Sequence, residues 1–480
     1  LDGAASSKCH SSLPPLFFTR VLHSKLEARR CRHACIGVNP YFDACGDFSF
    51  GAFNATSLDS RILRQDRLGA LQHHHPVPSL FKVFVFHGVK MKSTVARSIV
   101  MAMAISLLGT ACTPAGSEDG NHAGRHDIPA SGSTAPGDAE RLREDVEKFG
   151  SVMRAHGIPG AQLVHSGNGS AGEIEYGVMR ADSDAQVSDL TVFEAASLSK
   201  VVGAYITLRL VDQGKIDLDT PLWNYWQSPR IAHDELAKKI TARMVLNHTS
   251  GLPNWQISPT NPALDSTPIA SAFPPGTRFS YSGEGFYLLQ KTIEHLTGVA
   301  WNELATREVF TPFDMPHSSF VSTPARDVFT ARGHTKDGTP RQQRIFATAN
   351  TAFTLVTSAR DYHNFIHRGL YLGEGLQPST RNMMFTASSN ADDQSAPSSA
   401  DPYISWGLGV GIQVVNGRKL IWHWGDNPGF KALFMFSPDT GESMLLFTNS
   451  ENGLSTYREV LELFMGQGPY PVIDWVRTQD

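Results

Sequence analysis

The sequence predicts an α/β protein of the α+β kind: an antiparallel sheet flanked by N- and C-terminal helices, joined to a mainly helical domain. Three observations predict it. Four apolar runs follow one another near the end of the chain, an amphipathic segment stands at each end of the folded part, and a long stretch of helix and loop lies between them.

Residues 140–155 (ERLREDVEKFGSVMRA) set Leu142, Val146, Phe149, Val152 and Met153 at helical spacing and stop before Gly157-Ile158-Pro159-Gly160. Short strand-like runs follow at 161–165 and 173–179. The stretch 185–400 reads as mainly helix and loop. Strands are expected at 407–415, 419–424, 432–436 and 443–448, broken by the turn sequences Asn416-Gly417 and Asp439-Thr440-Gly441 that join antiparallel neighbours. A last amphipathic helix at 456–465 is expected to cover one face of that sheet beside the first helix. The folded domain is therefore 140–480.

The 480 residues carry 42 Lys+Arg against 46 Asp+Glu, with 41% hydrophobic and 10% aromatic residues. That excludes a disordered acidic tail protein, a collagen-like repeat and a disulfide-dense miniprotein. No apolar run reaches the roughly 18 residues that a membrane span requires. The averages conceal a break near residue 90. Residues 1–90 hold 11 basic and 6 acidic side chains, net +5, and 91–480 hold 31 and 40, net −9. Cys9, Cys31, Cys35 and Cys45 lie upstream of the break and only Cys112 beyond it, so the body of the protein has no disulfide to offer.

A segment opening at Met91 accounts for the break. Lys92 and Arg97 make a positive start, 99–108 is apolar but too short to span, and Gly109-Thr110-Ala111-Cys112 ends it with small residues before a thiol. These are the parts of a secretory signal over 91–111. The terminal cysteine resembles that of a bacterial lipoprotein leader, which implies lipidation of Cys112, although Gly109 stands where that pattern has Leu. The expectation is export to the periplasm or cell envelope, with contact to the membrane only through a lipid anchor. Residues 1–90 then read as an upstream extension or a reading-frame artefact. The run His73-His74-His75 and Cys31-x3-Cys35 lack the repeated framework of a zinc site. Residues 112–139, rich in Gly, Ser, Pro and Asp, read as a flexible tether.

Chemistry first shows at Phe193-Glu194-Ala195-Ala196-Ser197-Leu198-Ser199-Lys200. The apolar residues Val201, Val202, Ala204, Tyr205, Leu208 and Val211 repeat at three and four, and Gly214 closes the run as a helix cap. Ser197 is thus placed at a helix N-terminus with Lys200 one turn on along the same face. A serine hydroxyl needs a base to take its proton, and a lysine becomes one when burial lowers its pKa from about 10.4 to near 7. A lone S-x-x-K is weak, and a second one at Ser79–Lys82 is read as chance. Company lifts the first: Phe279-Ser280-Tyr281-Ser282-Gly283 precedes another apolar-periodic helix, and His423-Trp424-Gly425 in a strand is followed by Asp426-Asn427-Pro428-Gly429-Phe430.

In that order these motifs resemble S-x-x-K, Y-x-N and K-T-G or H-x-G of the class C β-lactamase, DD-peptidase and family VIII esterase group of serine hydrolases. The runs Leu246-Asn247-His248-Thr249-Ser250-Gly251-Leu252-Pro253, Pro274-Pro275-Gly276-Thr277 and Thr357-Ser358-Ala359-Arg360-Asp361-Tyr362 agree with it. The likeness spans about 140–465. It implies a β-lactamase/transpeptidase-like fold and hydrolysis through an acyl-enzyme, with no cofactor or metal. It also implies that Ser197 is the nucleophile, Lys200 its base, and Tyr281 the relay that protonates the leaving group. The backbone N–H groups of Ser197 and Asp426 would form the oxyanion hole. His423 would face the pocket and steady Tyr281 or a substrate carboxylate, the alternative being a histidine packed between Trp422 and Trp424.

Two departures bear on substrate. Gly283 stands where the group has the Asn of Y-x-N, whose amide holds a β-lactam or peptide amide. His423-Trp424-Gly425 lacks the fixed charge of K-T-G, since a histidine is half protonated only near pH 6.5. Both lean toward a carboxylesterase-like activity on small-molecule ester or peptide substrates, with β-lactamase or DD-carboxypeptidase activity as the alternative. A third reading is a non-catalytic relative that binds peptidoglycan, against which the intact Ser197, Lys200 and Tyr281 set speaks. No Ser has Gly at both of the positions two residues away, which excludes the G-x-S-x-G elbow. H-E-x-x-H is absent, and His248 is expected to brace its loop rather than bind metal. The acidic body lacks a basic stripe for nucleic acid.

Overall fold

In a computed structural model, residues 136–479 are described, apart from 168–169 and 394–396. The expected leader, Cys112, most of the tether, His73-His74-His75 and the upstream cysteines lie outside the described residues.

Ten strands form. In chain order they are β1 (Gly160–Gly167), β2 (Ser170–Gly177), β3 (Phe193–Glu194), β4 (Val356–Thr357), β5 (Ser389–Asn390), β6 (Ile404–Trp406), β7 (Gly411–Val415), β8 (Arg418–Asn427), β9 (Phe430–Phe436) and β10 (Ser443–Thr448). Eight of them make one antiparallel sheet in the order β2-β1-β10-β9-β8-β7-β6-β5, while β3 and β4 pair separately. The early hairpin joins the late strands through β1 and β10, in the register Ala161↔Thr448 to Ser166↔Ser443. The helices that position the site are α1 (Pro136–Ala155), α2 (Ser199–Asp212), α3 (Gly283–Thr297), α4 (Tyr457–Phe464) and α5 (Pro471–Thr478).

Both faces of the sheet are covered, which explains why its central strands read as continuous apolar runs rather than alternating ones. In β10, Met444 and Leu446 point into a core shared with Phe149 of α1, Leu461 of α4 and Trp475 of α5. Leu445 and Phe447 point the other way, into a core with Val201 and Leu208 of α2 and Phe286 of α3.

The structure extends several of the expected elements. Helix α1 begins at Pro136, four residues before the expected start, and Leu142 and Val146 of its apolar set stay exposed while Phe149, Val152 and Met153 are buried. Strand β8 runs on to Asn427 because the turn that ends it is Pro428-Gly429, with Gly429 at φ +83°. The 407–415 run is strand only from Gly411; its first residues form a loop in which Gly409 N–H donates to Leu246 O at 2.8 Å. Helix α5 and strands β5 and β6 were not anticipated. α5 has eight residues, opens on Pro471 and buries Val472, Ile473, Trp475 and Val476. Gly214 caps α2 as expected, at φ +67°, and Lys215 N–H returns to Leu210 O at 2.9 Å.

Candidate active site

The turn that carries Ser197 is held on several sides. Leaving β3, the chain makes a 3₁₀ turn at Ala196–Leu198 and passes directly into α2. Ala196 takes φ +50°, a left-handed conformation that costs a non-glycine residue on the order of 1 kcal/mol or more. The Tyr362 hydroxyl donates to Leu198 O at 2.9 Å, and Leu355 N–H donates to Ser199 Oγ at 3.0 Å. Thus the Thr357–Tyr362 run of the sequence motif works by fixing this turn. Strand β8 lies against it from the other side. A Cβ on Gly425 would stand 2.4 Å from Ala195 O, so only glycine lets the strand approach.

Lys200 is 2% exposed, and its Nζ lies 3.1 Å from Ser197 Oγ. Nζ also donates to Ala352 O at 2.8 Å and sits 4.9 Å from the centroid of the Tyr281 ring. Burial pulls its pKa from 10.5 to about 7. Because Ala352 O engages one N–H, the lone pair of neutral Lys200 is available to Ser197. The Ala352 carbonyl is itself set by Ala352 N–H donating to Asn350 Oδ1 at 2.9 Å.

Tyr281 immediately precedes Ser282, the N-cap of α3, whose Oγ accepts from Gly285 N–H. Its hydroxyl is buried without a well-formed hydrogen bond, and burial raises its pKa well above 10, with the Ser197 hydroxyl drawing it partly back. Tyr281 therefore rests as a neutral phenol next to Ser197. His248 stacks on its ring at 4.2 Å and accepts from Ser282 N–H through Nδ1 at 3.1 Å. Burial, with Lys200 and His423 nearby, drives the His248 pKa well below 6.5. It braces the loop as a neutral ring.

The backbone of Asp426 follows from the ladder. Asn427↔Phe430 closes a two-residue hairpin, so Asp426↔Lys431 is the next, non-hydrogen-bonded pair. The Asp426 N–H therefore points away from β9, toward the edge that β7 has left after its last pair, Gly411↔Trp422. The Asp426 carboxylate pairs with Lys431, which is also 3.3 Å from Glu451.

These groups open on a cleft of about 450 Å³ lined by Ser197, Lys200, Tyr281, Trp424 and Asp426. Asn254, Trp255, Ala352, Phe353, Asp393, and Thr478 and Gln479 at the end of α5 complete the wall. A larger concavity, about 550 Å³, lies between α1 and α4 among Glu144, Glu147, Glu459 and Glu462, and holds no nucleophile paired to a base.

Three of the expected site residues sit elsewhere than on the wall. Gly425 lies under the Ser197 turn, where it makes room. Gly283 lies behind Trp255. His423 does not face the pocket: it is fully buried, donates from Nδ1 to Trp424 O at 2.7 Å, and has its ring 6.4 Å from that of Tyr281. Strand alternation puts its side chain opposite those of Trp422 and Trp424, and it is Trp424 that reaches the cleft. Burial, then the charge of Lys200, lower the His423 pKa to about 3, so it carries no charge for a substrate carboxylate at neutral pH. Ala352, Trp255, Phe353, Asp393 and the end of α5 were not anticipated. A carbonyl such as that of Ala352 leaves no trace in side-chain identity; Trp255, two residues past the Leu252-Pro253 motif, was the one available signal.

The family model that matches is Beta-lactamase, over residues 142–463. Penicillin-binding protein 4 of Amycolatopsis lactamdurans is 24% identical over 339 residues, covering 67% of this chain and 88% of that protein. Among solved structures, the D-alanine carboxypeptidase AmpC of Burkholderia cenocepacia superposes with TM-score 0.56 at 19% identity, over 68% of this chain and 99% of that one. A class C beta lactamase gives 0.57 at 19% identity, over 69% and 99%. The matched region runs from α1 to α4 and takes in Ser197, Lys200, Tyr281 and the strand of Gly425, and it covers more than half of the sequence; the chain belongs to the beta-lactamase family of serine hydrolases.

Proposed function

We propose that this serine hydrolase is carboxylesterase-like, cleaving ester or amide bonds through an acyl-enzyme on Ser197. The observation that carries the reading is the cleft itself: a buried Lys200 with a pKa near 7 stands 3.1 Å from Ser197 Oγ. It is also the sole basic side chain among the described lining residues, beside the acidic Asp393 and Asp426. Substrates that end in a carboxylate find no permanent cation there, whereas a neutral ester needs none.

In the proposed sequence Ser197 Oγ adds to the carbonyl carbon and its proton passes to neutral Lys200. The negative charge that develops on the carbonyl oxygen is held by the N–H groups of Ser197 and Asp426. Collapse breaks the bond to the leaving group, which takes the Tyr281 hydroxyl proton, and Lys200 returns its proton to Tyr281. Water then repeats these steps on the acyl-enzyme and restores Ser197.

Purified protein should turn over p-nitrophenyl butyrate faster than nitrocefin or a D-Ala-D-Ala peptide. It should also take one fluorophosphonate adduct that disappears in Ser197→Ala, with turnover falling on the order of 10⁴-fold or more. Faster turnover of nitrocefin or the peptide would instead favour a β-lactamase or DD-carboxypeptidase, the reading supported by the names of the relatives. Absence of any adduct would leave a non-catalytic peptidoglycan-binding role. We further propose export to the cell envelope with lipidation at Cys112. Intact-mass analysis of the membrane-associated form should find a chain beginning at a modified Cys112, and a mature chain beginning upstream would overturn this.

A further inference from the structure

We infer that Trp255, whose indole fills the volume an Asn side chain at position 283 would need, is the floor of an apolar subsite that accepts an aromatic group of the substrate. A Cβ on Gly283 would fall 2.4 Å from Trp255 Cζ2, 2.7 Å from Cε2 and 2.9 Å from Cη2. Where the indole lies it leaves no room for a side chain at that position, and the glycine is the counterpart of the tryptophan rather than a simple loss of an amide.

The loop that carries the indole is also fixed in place before any ligand arrives. On one side of it, Gly283 N–H and Glu284 N–H donate to Asn254 O at 3.1 and 3.0 Å, and Gly283 N–H also reaches Asn254 Oδ1 at 3.0 Å. On the other side, Gln256 N–H donates to Glu284 Oε1 at 3.2 Å. Glu284 is in turn held by Arg230 at 2.7 and 3.0 Å, with the two side chains 0% and 5% exposed. This buried bidentate pair makes the 254–256 loop an extension of the start of α3. Phe353 meets the indole edge to face at 5.8 Å, and both rings line the cleft that holds Ser197. An aromatic group bound through Ser197 therefore meets two aromatic rings already packed against each other. The class of substrate is an ester or amide bearing a planar aromatic group, in place of one recognised through an acylamino amide.

The inference rests on the serine hydrolase reading above, and the test separates the two. Phenylboronic and methylboronic acids each present one substituent. Ser197 Oγ forms a B–O bond to the trigonal boron, its proton passes to Lys200, and the boron becomes a tetrahedral anion. Calorimetric titration of the full chain should give at least tenfold tighter binding of phenylboronic acid. The ratio of the two affinities should fall about tenfold in Trp255→Ala and be largely kept in Trp255→Phe. Circular-dichroism melting of each variant checks that it is folded. Fluorophosphonate labelling of Ser197 without an aromatic preference, or a preference untouched by Trp255→Ala, would overturn this inference and spare the hydrolase reading. Failure of both boronic acids and of labelling would overturn both.

Discussion

Replacing Lys200 by Met is expected to remove turnover and to make the protein more stable. The side chain is 2% exposed and its pKa lies near 7 instead of 10.5, so folding at neutral pH carries a cost of about 4–5 kcal/mol for taking this amine out of water. Methionine fills similar length without a charge. It loses the bond to Ala352 O, worth on the order of 1–2 kcal/mol, so a net gain of roughly 2–4 kcal/mol is expected at pH 7. The sign of the pH dependence follows from the lowered pKa. Between about pH 7 and 10.5 the unfolded chain holds a proton that the folded one lacks, so wild-type stability gains from this group as pH rises through that window. The advantage of Lys200→Met is then largest at and below pH 7 and fades toward pH 10.5. Urea unfolding at pH 7 and pH 9 measures it. Activity moves the other way: loss of the base lowers kcat by about 10²–10⁴, and wild-type kcat/KM should rise with pH to a plateau above about 7 as Lys200 becomes neutral. A variant less stable than wild type at pH 7 would show that the amine is not held at a cost.

The second large effect is expected from one methyl group. In Gly425→Ala the new Cβ would lie 2.4 Å from Ala195 O and 3.2 Å from the Cβ atoms of Ala196 and Ala432. The first of these is a backbone atom beside a residue already at φ +50°, so it cannot swing aside as a side chain would. Strand β8 must move off the Ser197 turn, which carries the Asp426 N–H away from the Ser197 N–H. Mispositioning one donor of such a pair costs about 10²–10³ in kcat, and the overpacking itself roughly 1–3 kcal/mol of stability. The expected readout is a fall of that size in ester turnover and in the rate of fluorophosphonate labelling, with Ser197 and Lys200 both intact. Unchanged labelling would mean that β8 takes no part in shaping the site.

The parts of the site that were legible in the sequence are those that depend on local geometry. Ser197 and Lys200 are one helical turn apart, and the cap residues around them, Gly214 among others, mark where α2 runs. The early helix, the first hairpin and the four late strands were legible for the same reason, as were the turns at Asn416-Gly417 and Asp439-Thr440-Gly441. Helix α5 escaped because eight residues with four apolar positions resemble an ordinary tail until Trp475 is seen donating to Ala391 O from within the core. His423 shows the limit within a legible strand. Period two separates it from Trp422 and Trp424, yet which of the two faces meets the cleft depends on what covers each side of the sheet.

By itself the sequence determined the family, the order of its three motifs, the proximity of Lys200 to Ser197, and the absence of an amide at position 283, all of which are matters of identity and near neighbours along the chain. Tertiary structure alone decided that Ala352, 152 residues from Lys200, supplies the carbonyl that orients the amine, and that burial brings that amine to a useful pKa. It also decided that the space left by Gly283 belongs to Trp255. Desolvation and close approach depend on what the folded chain packs together from distant positions, and no spacing in a sequence encodes them.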